Sequence, residues 1–196
     1  MIHMEEIKLN KIKVATANEV CLLFELDEEA APLLQENQTP AQFLQILMEH
    51  EYLADAARFI TFALPEREAV WLACLVARSA VDESTSEAEN KAIAQAEQWV
   101  YKPTDEQRRT LMDIAESAGL DTPAGFAAAS AFWSGDVIAH ADLPPVPPPA
   151  GITGKMVWGA MVLAAYHKTP ELANDRYRTY ISQAIDIANG GGGKNL

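Results

Sequence analysis

The chain has 196 residues, 49% of them hydrophobic and 22% charged, proportions that exclude wholesale disorder and suit one domain with a sizeable core. Its 28 acidic residues outnumber 15 basic ones and give a formal net charge of −13. Because no predicted helix carries a basic stripe, this charge argues against nucleic acid and against an anionic membrane as partner. A basic protein partner, or a role in solubility alone, remains compatible with it.

The amino end does not have the pattern of a secretory signal, because residues 1–6 (MIHMEE) lack a basic segment followed by an apolar run. The longest apolar run, residues 69–77, has about half the length that a membrane-spanning helix needs. We therefore expect a cytoplasmic protein that makes no use of a membrane. Both ends, about 1–12 and 190–196, are expected to be flexible.

Helix starts are legible along the chain. Threonine precedes proline at 39–40, 122–123 and 169–170, which places a capping hydroxyl before a residue type favoured at the first helical position. A Glu or Gln three residues later predicts capping boxes at Thr16, Thr39 and Thr104. Glycines mark helix ends at 119, 135 and 190–193. The predicted helices cover 16–25, 40–50, 52–63, 65–80, 86–101, 105–118, 123–133, 154–167 and 170–188.

Residues 65–80, PEREAVWLACLVARSA, are predicted to form a core helix and not a reactive site. The centre of this segment is apolar on every side, which indicates a helix surrounded by others. Glu66 and Glu68 lie in its first turn and Arg78 in its last, where the helix dipole favours each charge. Arg67 is expected at most to pair with a carboxylate of another helix.

Five of the seven residues 143–149 (LPPVPPP), here called the strap, are proline. Such a run cannot be helical and predicts an extended polyproline segment, which either crosses its own domain or binds an aromatic-lined groove of a partner. Two aromatic residues end the helix before it: Trp133 either packs under the strap or, together with Phe132, lines a partner-binding groove, which we keep as a hypothesis. The candidate residues are Phe132, Trp133, Ser134, Asp136, Pro145, Pro147 and Pro148. Trp99 and Tyr101, at another helix end, are expected to pack inside.

No residue pattern indicates a catalytic, cofactor or metal site. Cys21 and Cys74 have apolar neighbours and are interpreted as small buried hydrophobic residues. The four histidines are scattered. His140 and Asp142 could share one side of an extended segment, but no third metal ligand is evident. His167 is predicted to end a helix, where its charge suits the dipole. We expect no enzymatic activity.

The two halves of the chain resemble each other at three places. Residues 39–43 (TPAQF), 70–77 (VWLACLVA) and 93–96 (IAQA) are similar to 122–126 (TPAGF), 157–164 (VWGAMVLA) and 181–184 (ISQA). The conserved order suggests half-repeats at 39–101 and 122–189, although alanine-rich helices with Thr-Pro starts also look alike by composition alone. In a duplication, Trp71 and Trp158 would occupy equivalent places on two core helices that face each other.

These observations predict an all-α protein, a single globular bundle of about nine helices over residues 1–196, with the strap as its extended part. An ordered set of segments within 36–190 also resembles an uncharacterised family of bacterial proteins, a domain of unknown function. The segments are PAQF at 40–43, ALPEREAVW at 63–71, EQWV at 97–100, PTDE at 103–106, AGLDTPAG at 118–125, AFWSG at 131–135 and the strap. Leu72 departs from the family pattern, which has a second tryptophan after Trp71.

The resemblance carries no catalytic residues to this chain. It implies an association with gene neighbourhoods of type VI secretion, and thus an accessory, adaptor or chaperone-like role. The first hypothesis is therefore a non-enzymatic, acidic protein that binds another protein. The second is an immunity or inhibitor protein whose acidic face covers a basic toxin. The third is an enzyme whose polar groups converge from separate helices and are not visible in the sequence.

Overall fold

Nine α-helices and two 3₁₀ turns form the part of the chain that the computed structural model describes, residues 6–138 and 144–193. No strand occurs in those residues, and the predicted all-α, single multi-helix bundle is confirmed. The helices are α1 (Ala17–Cys21), α2 (Pro40–Glu49), α3 (Leu53–Ala63), α4 (Glu66–Ser79), α5 (Glu87–Tyr101), α6 (Asp105–Ala118), α7 (Pro123–Trp133), α8 (Ile152–Ala165) and α9 (Ala173–Ala188). The 3₁₀ turns are Ala31–Leu33 and Pro170–Leu172.

Helix α4 lies at the centre of the bundle, in contact with α5, α7, α8 and α9. Its apolar side chains explain this position, since seven of its residues are buried: Ala69, Val70, Leu72, Ala73, Cys74, Val76 and Ala77. Alanines of α7 and α8 are buried as well, and small side chains let helix backbones approach closely. The interpretation of 65–80 as a core helix is confirmed, except that Trp71 and Leu75 are only half-buried.

The remaining helices surround this centre. Helix α6 packs against α5 and α7, whereas α3 packs against α2, α8 and α9. Helices α4 and α8, which carry the two similar segments, also pack against each other. The duplication itself stays a prediction. Within residues 6–138 and 144–193, no helix combines the length and apolarity that crossing a bilayer demands.

Most predicted helix starts are confirmed, because the signals that specify them are local. Thr39 accepts a hydrogen bond from the backbone of Gln42, whose side chain completes the capping box, and Thr122 caps α7 through the backbone of Gly125. The box at Thr16 is also complete. At Thr104 only the hydroxyl half forms, since the Gln107 side chain donates to another carbonyl.

Helix α1 is shorter than predicted, ending at Cys21 and not near residue 25. Contacts with α3 hold the residues that follow. Phe24 stacks on Phe62 with ring centroids 4.9 Å apart, and the Glu25 carbonyl accepts a hydrogen bond from Arg58 (2.6 Å). These tertiary contacts outweigh the helical pattern of the segment.

The predicted helix start at 169–170 is also wrong, because this Thr-Pro pair opens a 3₁₀ turn and α9 begins at Ala173. The Thr169 hydroxyl makes no cap and instead accepts a hydrogen bond from Arg176 Nη2 (2.5 Å). Arg176 Nη1 donates to the carbonyls of Ala165 (2.7 Å) and His167 (2.8 Å). One arginine thus organises the whole turn between α8 and α9.

Residues 6–12 and 190–193, expected to be flexible, have defined packing partners on α9. Leu9 is buried, and the Lys11 amide donates to the carbonyl of Ala188 (2.8 Å). The Gly191 amide donates to the Asp186 carbonyl (2.9 Å), and the Gly193 amide donates to Asp186 Oδ2 (2.7 Å). Both ends of the described chain therefore lie along the end of α9.

Candidate functional site

The aromatic part of the predicted partner-binding surface lies at the end of α7. Phe132 and Trp133 are half-buried and pack against the core, with their rings edge to face and their centroids 5.2 Å apart. The Ser134 hydroxyl donates to the Ala131 carbonyl (2.8 Å) and so closes the helix end, whereas Asp136 is exposed. The structure therefore gives this aromatic pair one side in the core and one side towards solvent.

A buried arginine of α6 fixes the segment that follows α7. Arg108 is 3% exposed and donates to the carbonyls of Phe132 (2.5 Å) and Val137 (2.7 Å). It also donates to the Asp105 carboxylate (2.6 Å), and its guanidinium lies 5.8 Å from the centroid of the Phe132 ring. Burying this charge is tolerated because its hydrogen bonds are satisfied. Sequence reasoning missed Arg108, which reads as one more charge on a polar helix.

The strap lies beside the residues that follow α7. The Ile138 amide donates to the Val146 carbonyl (2.9 Å), which joins the two segments. Pro145, Val146 and Pro147 are exposed and Pro148 is half-buried. The described part of the strap is thus hydrogen-bonded to the segment after α7 of its own domain, and most of its prolines are exposed to solvent. Leu143 and the His140–Asp142 pair lie outside the described residues.

The seven predicted residues form two groups, 132–136 at the end of α7 and 145–148 in the strap, which are linked through the Arg108 hydrogen bond to Val137 and the Ile138–Val146 hydrogen bond. Exposed prolines and half-buried aromatic rings are the residue types that extended and aromatic-lined interfaces use. A partner site at this surface stays a prediction.

A separate cleft of about 380 Å³ lies between parts of the chain that are distant in sequence. It is bounded by the start of α4, the end of α5, the end of α9 with its following glycines, and the amino-terminal segment. Its lining residues are Lys11, Arg67, Glu68, Trp71, Val100, Tyr101, Ile187, Gly191 and Gly192. No single sequence motif contains this set, so the cleft could not be predicted from the sequence.

Aromatic residues form one wall of the cleft. Trp71 and Tyr101 meet at an interplanar angle of 63° with centroids 5.5 Å apart, and the Trp71 indole N–H donates to the Gly192 carbonyl (2.9 Å). The prediction that Tyr101 packs inside is wrong, because Tyr101 is the last residue of α5 and is 67% exposed. Trp99, by contrast, is buried as expected.

The charged residues of the cleft come from α4 and from the amino-terminal segment. Lys11 Nζ lies 3.0 Å from Glu68 Oε1. Arg67 Nε donates to the Val100 carbonyl (2.7 Å), so its partner is a backbone oxygen and not the carboxylate that we expected. The physical reason is that the last carbonyls of a helix lack intrahelical donors, and Val100 lies in the last turn of α5.

His167 forms part of a polar cluster and does not cap a helix as predicted. Helix α8 ends at Ala165, and His167 Nε2 lies 2.7 Å from Asp82 Oδ2 in the loop between α4 and α5. Lys168 Nζ (2.6 Å) and the Ser84 hydroxyl (2.6 Å) also contact the Asp82 carboxylate. The hydrogen bonds from Lys168, whose effect is the largest, and from Ser84 and His167 hold the pKa of Asp82 well below its usual range. The cluster links two loops 85 residues apart.

The two cysteines are unpaired thiols. Cys74 is fully buried, as interpreted from the sequence, and Cys21 is half-buried against the core. Burial raises the pKa of Cys21 to about 11 and raises that of Cys74 further. Since the thiolate is the reactive form, both are poor nucleophiles at neutral pH. Among the residues that the structure describes, no three His, Cys, Asp or Glu side chains are placed to hold a metal ion.

The fold and these surfaces define an all-helical domain with a half-exposed aromatic helix end and one charged aromatic cleft. The chain belongs to a family of unknown function, DUF6931, whose model matches residues 43–188. This range includes the end of α7, the strap and most of the cleft lining, but not Lys11, Gly191 or Gly192. The match confirms the resemblance to an uncharacterised domain that the sequence segments indicated. No curated protein and no solved structure matches the chain.

Proposed function

We propose that this protein is a non-enzymatic accessory of the bacterial cytoplasm that binds another protein, as an adaptor or a chaperone-like factor. Its binding surface comprises Phe132, Trp133, Ser134, Asp136, Pro145, Pro147 and Pro148. The observation that carries the proposal is the buried Arg108, which fixes an aromatic helix end next to an exposed proline segment.

Pre-organisation is the physical reason why this arrangement suits binding. Association costs free energy whenever side chains and loops must become ordered, and a surface that is already fixed avoids most of that cost. Proline contributes apolar area with little conformational entropy to lose, and leaves backbone carbonyls free to accept hydrogen bonds. The half-buried rings of Phe132 and Trp133 offer the kind of anchor that dominates interface energies.

The character of the partner follows from charge. With a net charge of −13 and an exposed Asp136 at the rim, a basic partner would be attracted over long range. We propose that this partner belongs to type VI secretion, which is supported by the family resemblance of the segments quoted above. The same charge favours a second candidate function, an immunity or inhibitor protein that covers a basic toxin.

Affinity capture with matched variants tests the proposal. The full chain, tagged and immobilised, is exposed to lysate of its source cells in three forms: wild type, Pro145→Ala/Pro147→Ala and Trp133→Ala. Leu172→Ala is the control, since Leu172 is 44% exposed but lies in the turn before α9. We expect recovery of one partner to fall by about tenfold in both surface variants and to stay unchanged in the control. Equal recovery from all four proteins would contradict the proposed surface.

Salt dependence separates the two candidate functions. A toxin complex held by opposite charges loses affinity steeply as salt is raised, whereas an interface centred on aromatic and proline contacts depends less on salt. Repeating the capture at low and high salt therefore assigns the partner to one class. The proline double variant keeps the chain's charge, so it should leave a charge-driven complex intact.

A further inference from the structure

We infer that the cleft between α4, α5 and the end of α9 binds a small carboxylate that carries an aromatic or branched apolar group. This site is distinct from the predicted partner-binding surface and does not depend on it. Three properties of the lining residues that the structure describes support the assignment: an arginine fork with free donors, a single uncompensated positive charge, and an apolar wall with an exposed aromatic residue.

Arg67 supplies the donors. Its Nε is used by the Val100 carbonyl (2.7 Å), which orients the guanidinium plane. Within residues 6–138 and 144–193, neither of its two terminal amino groups has a hydrogen-bond partner, and the residue is exposed. A guanidinium held at one edge presents its remaining donors in the parallel geometry that matches the two oxygens of a carboxylate.

Charge limits the ligand to one negative charge. The described lining contains Lys11, Arg67 and Glu68, of which Lys11 and Glu68 form an ion pair at 3.0 Å. Arg67 therefore leaves the cleft with one positive charge in a chain whose net charge is −13. A phosphate monoester carries nearly two negative charges at neutral pH and would be repelled both by Glu68 and by the whole chain. A monocarboxylate carries a single negative charge, which the one positive charge of Arg67 balances, so this repulsion is much smaller for it.

The apolar wall indicates which chemical group the uncharged part of the ligand carries. The cleft is lined by Trp71, Val100, Tyr101 and Ile187, and the ring of Tyr101, a residue that is 67% exposed, lies against the ring of Trp71. An aromatic or branched apolar group placed against these side chains would remove apolar surface from water. The volume of about 380 Å³ lies at the small end of ligand sites, which suits one such group and not an extended peptide.

The opposite wall is already formed. Gly192 accepts the indole N–H of Trp71 (2.9 Å), and the neighbouring Gly191 and Gly193 are tied to Asp186. The glycine segment 190–193 thus closes one side of the cleft as an ordered piece of chain. A ligand would not have to order this wall on binding.

Nuclear magnetic resonance of the ¹⁵N-labelled full chain tests the site directly. The indole N–H of Trp71 is assigned by its loss in Trp71→Phe, and the chain is titrated with 3-phenylpropionate, N-acetylphenylalanine, the uncharged N-acetylphenylalaninamide, and phenyl phosphate. We expect saturable shifts of the Trp71 indole resonance with one or both acids, and at least about tenfold weaker binding of the amide and the phosphate. Similar affinities for both acids would identify a free acid as sufficient. Stronger binding of N-acetylphenylalanine would identify a peptide carboxyl terminus as the source.

Two variants and a control locate the binding energy. Arg67→Gln should weaken binding of the acids by about tenfold or more, because it removes the charged fork. Tyr101→Ala, at an exposed position, should weaken it several-fold without affecting the fold. Arg178→Gln removes an exposed arginine outside the cleft, paired with Glu51, and should change nothing. An unmoved Trp71 resonance in both acid titrations, or wild-type affinity in both cleft variants, would overturn the assignment.

Discussion

Gly135 lies beside the buried guanidinium of Arg108, at a place where the chain after α7 leaves no room for a side chain. A Cβ atom at this position would lie 2.4 Å from both Cζ and Nε of Arg108, far inside van der Waals contact. The guanidinium cannot withdraw without cost, because it satisfies the carbonyls of Phe132 and Val137 in a place with little access to water. The sequence shows Gly135 only as a helix end, whereas its role is to leave room for an arginine 27 residues earlier.

The first prediction concerns this close approach. Gly135→Ala should lower the free energy of unfolding by about 2–3 kcal/mol, since it overpacks the site and disrupts the hydrogen bonds of a buried charge. Gly192→Ala is the matched control: apart from its two chain neighbours, no described residue has an atom within 4 Å of the added Cβ, and the φ of Gly192 is not in the left-handed region. Equilibrium denaturation in urea measures both. Equal stability of the two variants would show that Arg108 moves aside freely and does not hold the segment after α7.

At the scale of single elements, helix starts were predictable where the cap depends only on neighbours. Thr39 and Thr122 cap through an amide three residues away, and a sequence shows such a relation directly. Thr169 has the same Thr-Pro pattern but fails, because Arg176 takes its hydroxyl. Whether the hydroxyl is free to cap a helix depends on how α8 and α9 pack, because their packing decides whether Arg176 reaches Thr169. A local sequence pattern does not contain this information.

The candidate sites show the same difference between features that depend on sequence neighbours and features that depend on distant residues. Phe132 and Trp133 could be singled out from composition, since large aromatic residues at a helix end before a proline run are visible in the sequence. The cleft could not, because Lys11, Arg67 and Tyr101 meet only after four distant segments have packed. Contacts between segments that are distant in sequence leave no local sequence pattern. From the sequence alone, Arg67 is therefore only a charged residue in the first turn of a helix.

The second prediction measures the local contribution of a cap. Thr39→Ala should cost about 1 kcal/mol of unfolding free energy, because it leaves an amide of the first turn of α2 without its acceptor. Thr110→Ala is the control: Thr110 is also exposed but lies inside α6, where its hydroxyl donates to the Gln107 carbonyl. Alanine is the better helix former there, so this variant should be neutral or slightly more stable. A larger loss from Thr110→Ala than from Thr39→Ala would reject the role of the capping box.

For the whole molecule, the central fact is that one apolar core includes residues from all nine helices of the described chain, from Leu9 to Ala188. Helices α4 and α8 belong to the two predicted half-repeats and pack against each other inside this core. Even if the halves arose by duplication, neither would keep an independent core after separation. A shared core makes partial unfolding costly, so the halves should unfold together.

The third prediction follows from that sharing. Leu72→Ala, at a fully buried position of α4, should lower the free energy of unfolding by about 3 kcal/mol through lost contacts and a cavity. It should also shift a single transition in which helix content and tryptophan fluorescence change together. Tryptophans 71 and 99 lie in one predicted half and 133 and 158 in the other, so fluorescence reports on both. Leu75→Ala removes the same atoms from a half-buried position on the same helix and should cost only about 1 kcal/mol. Two separated transitions in Leu72→Ala, one per half, would instead show that α4 stabilises its own half and that the two halves fold as separate units.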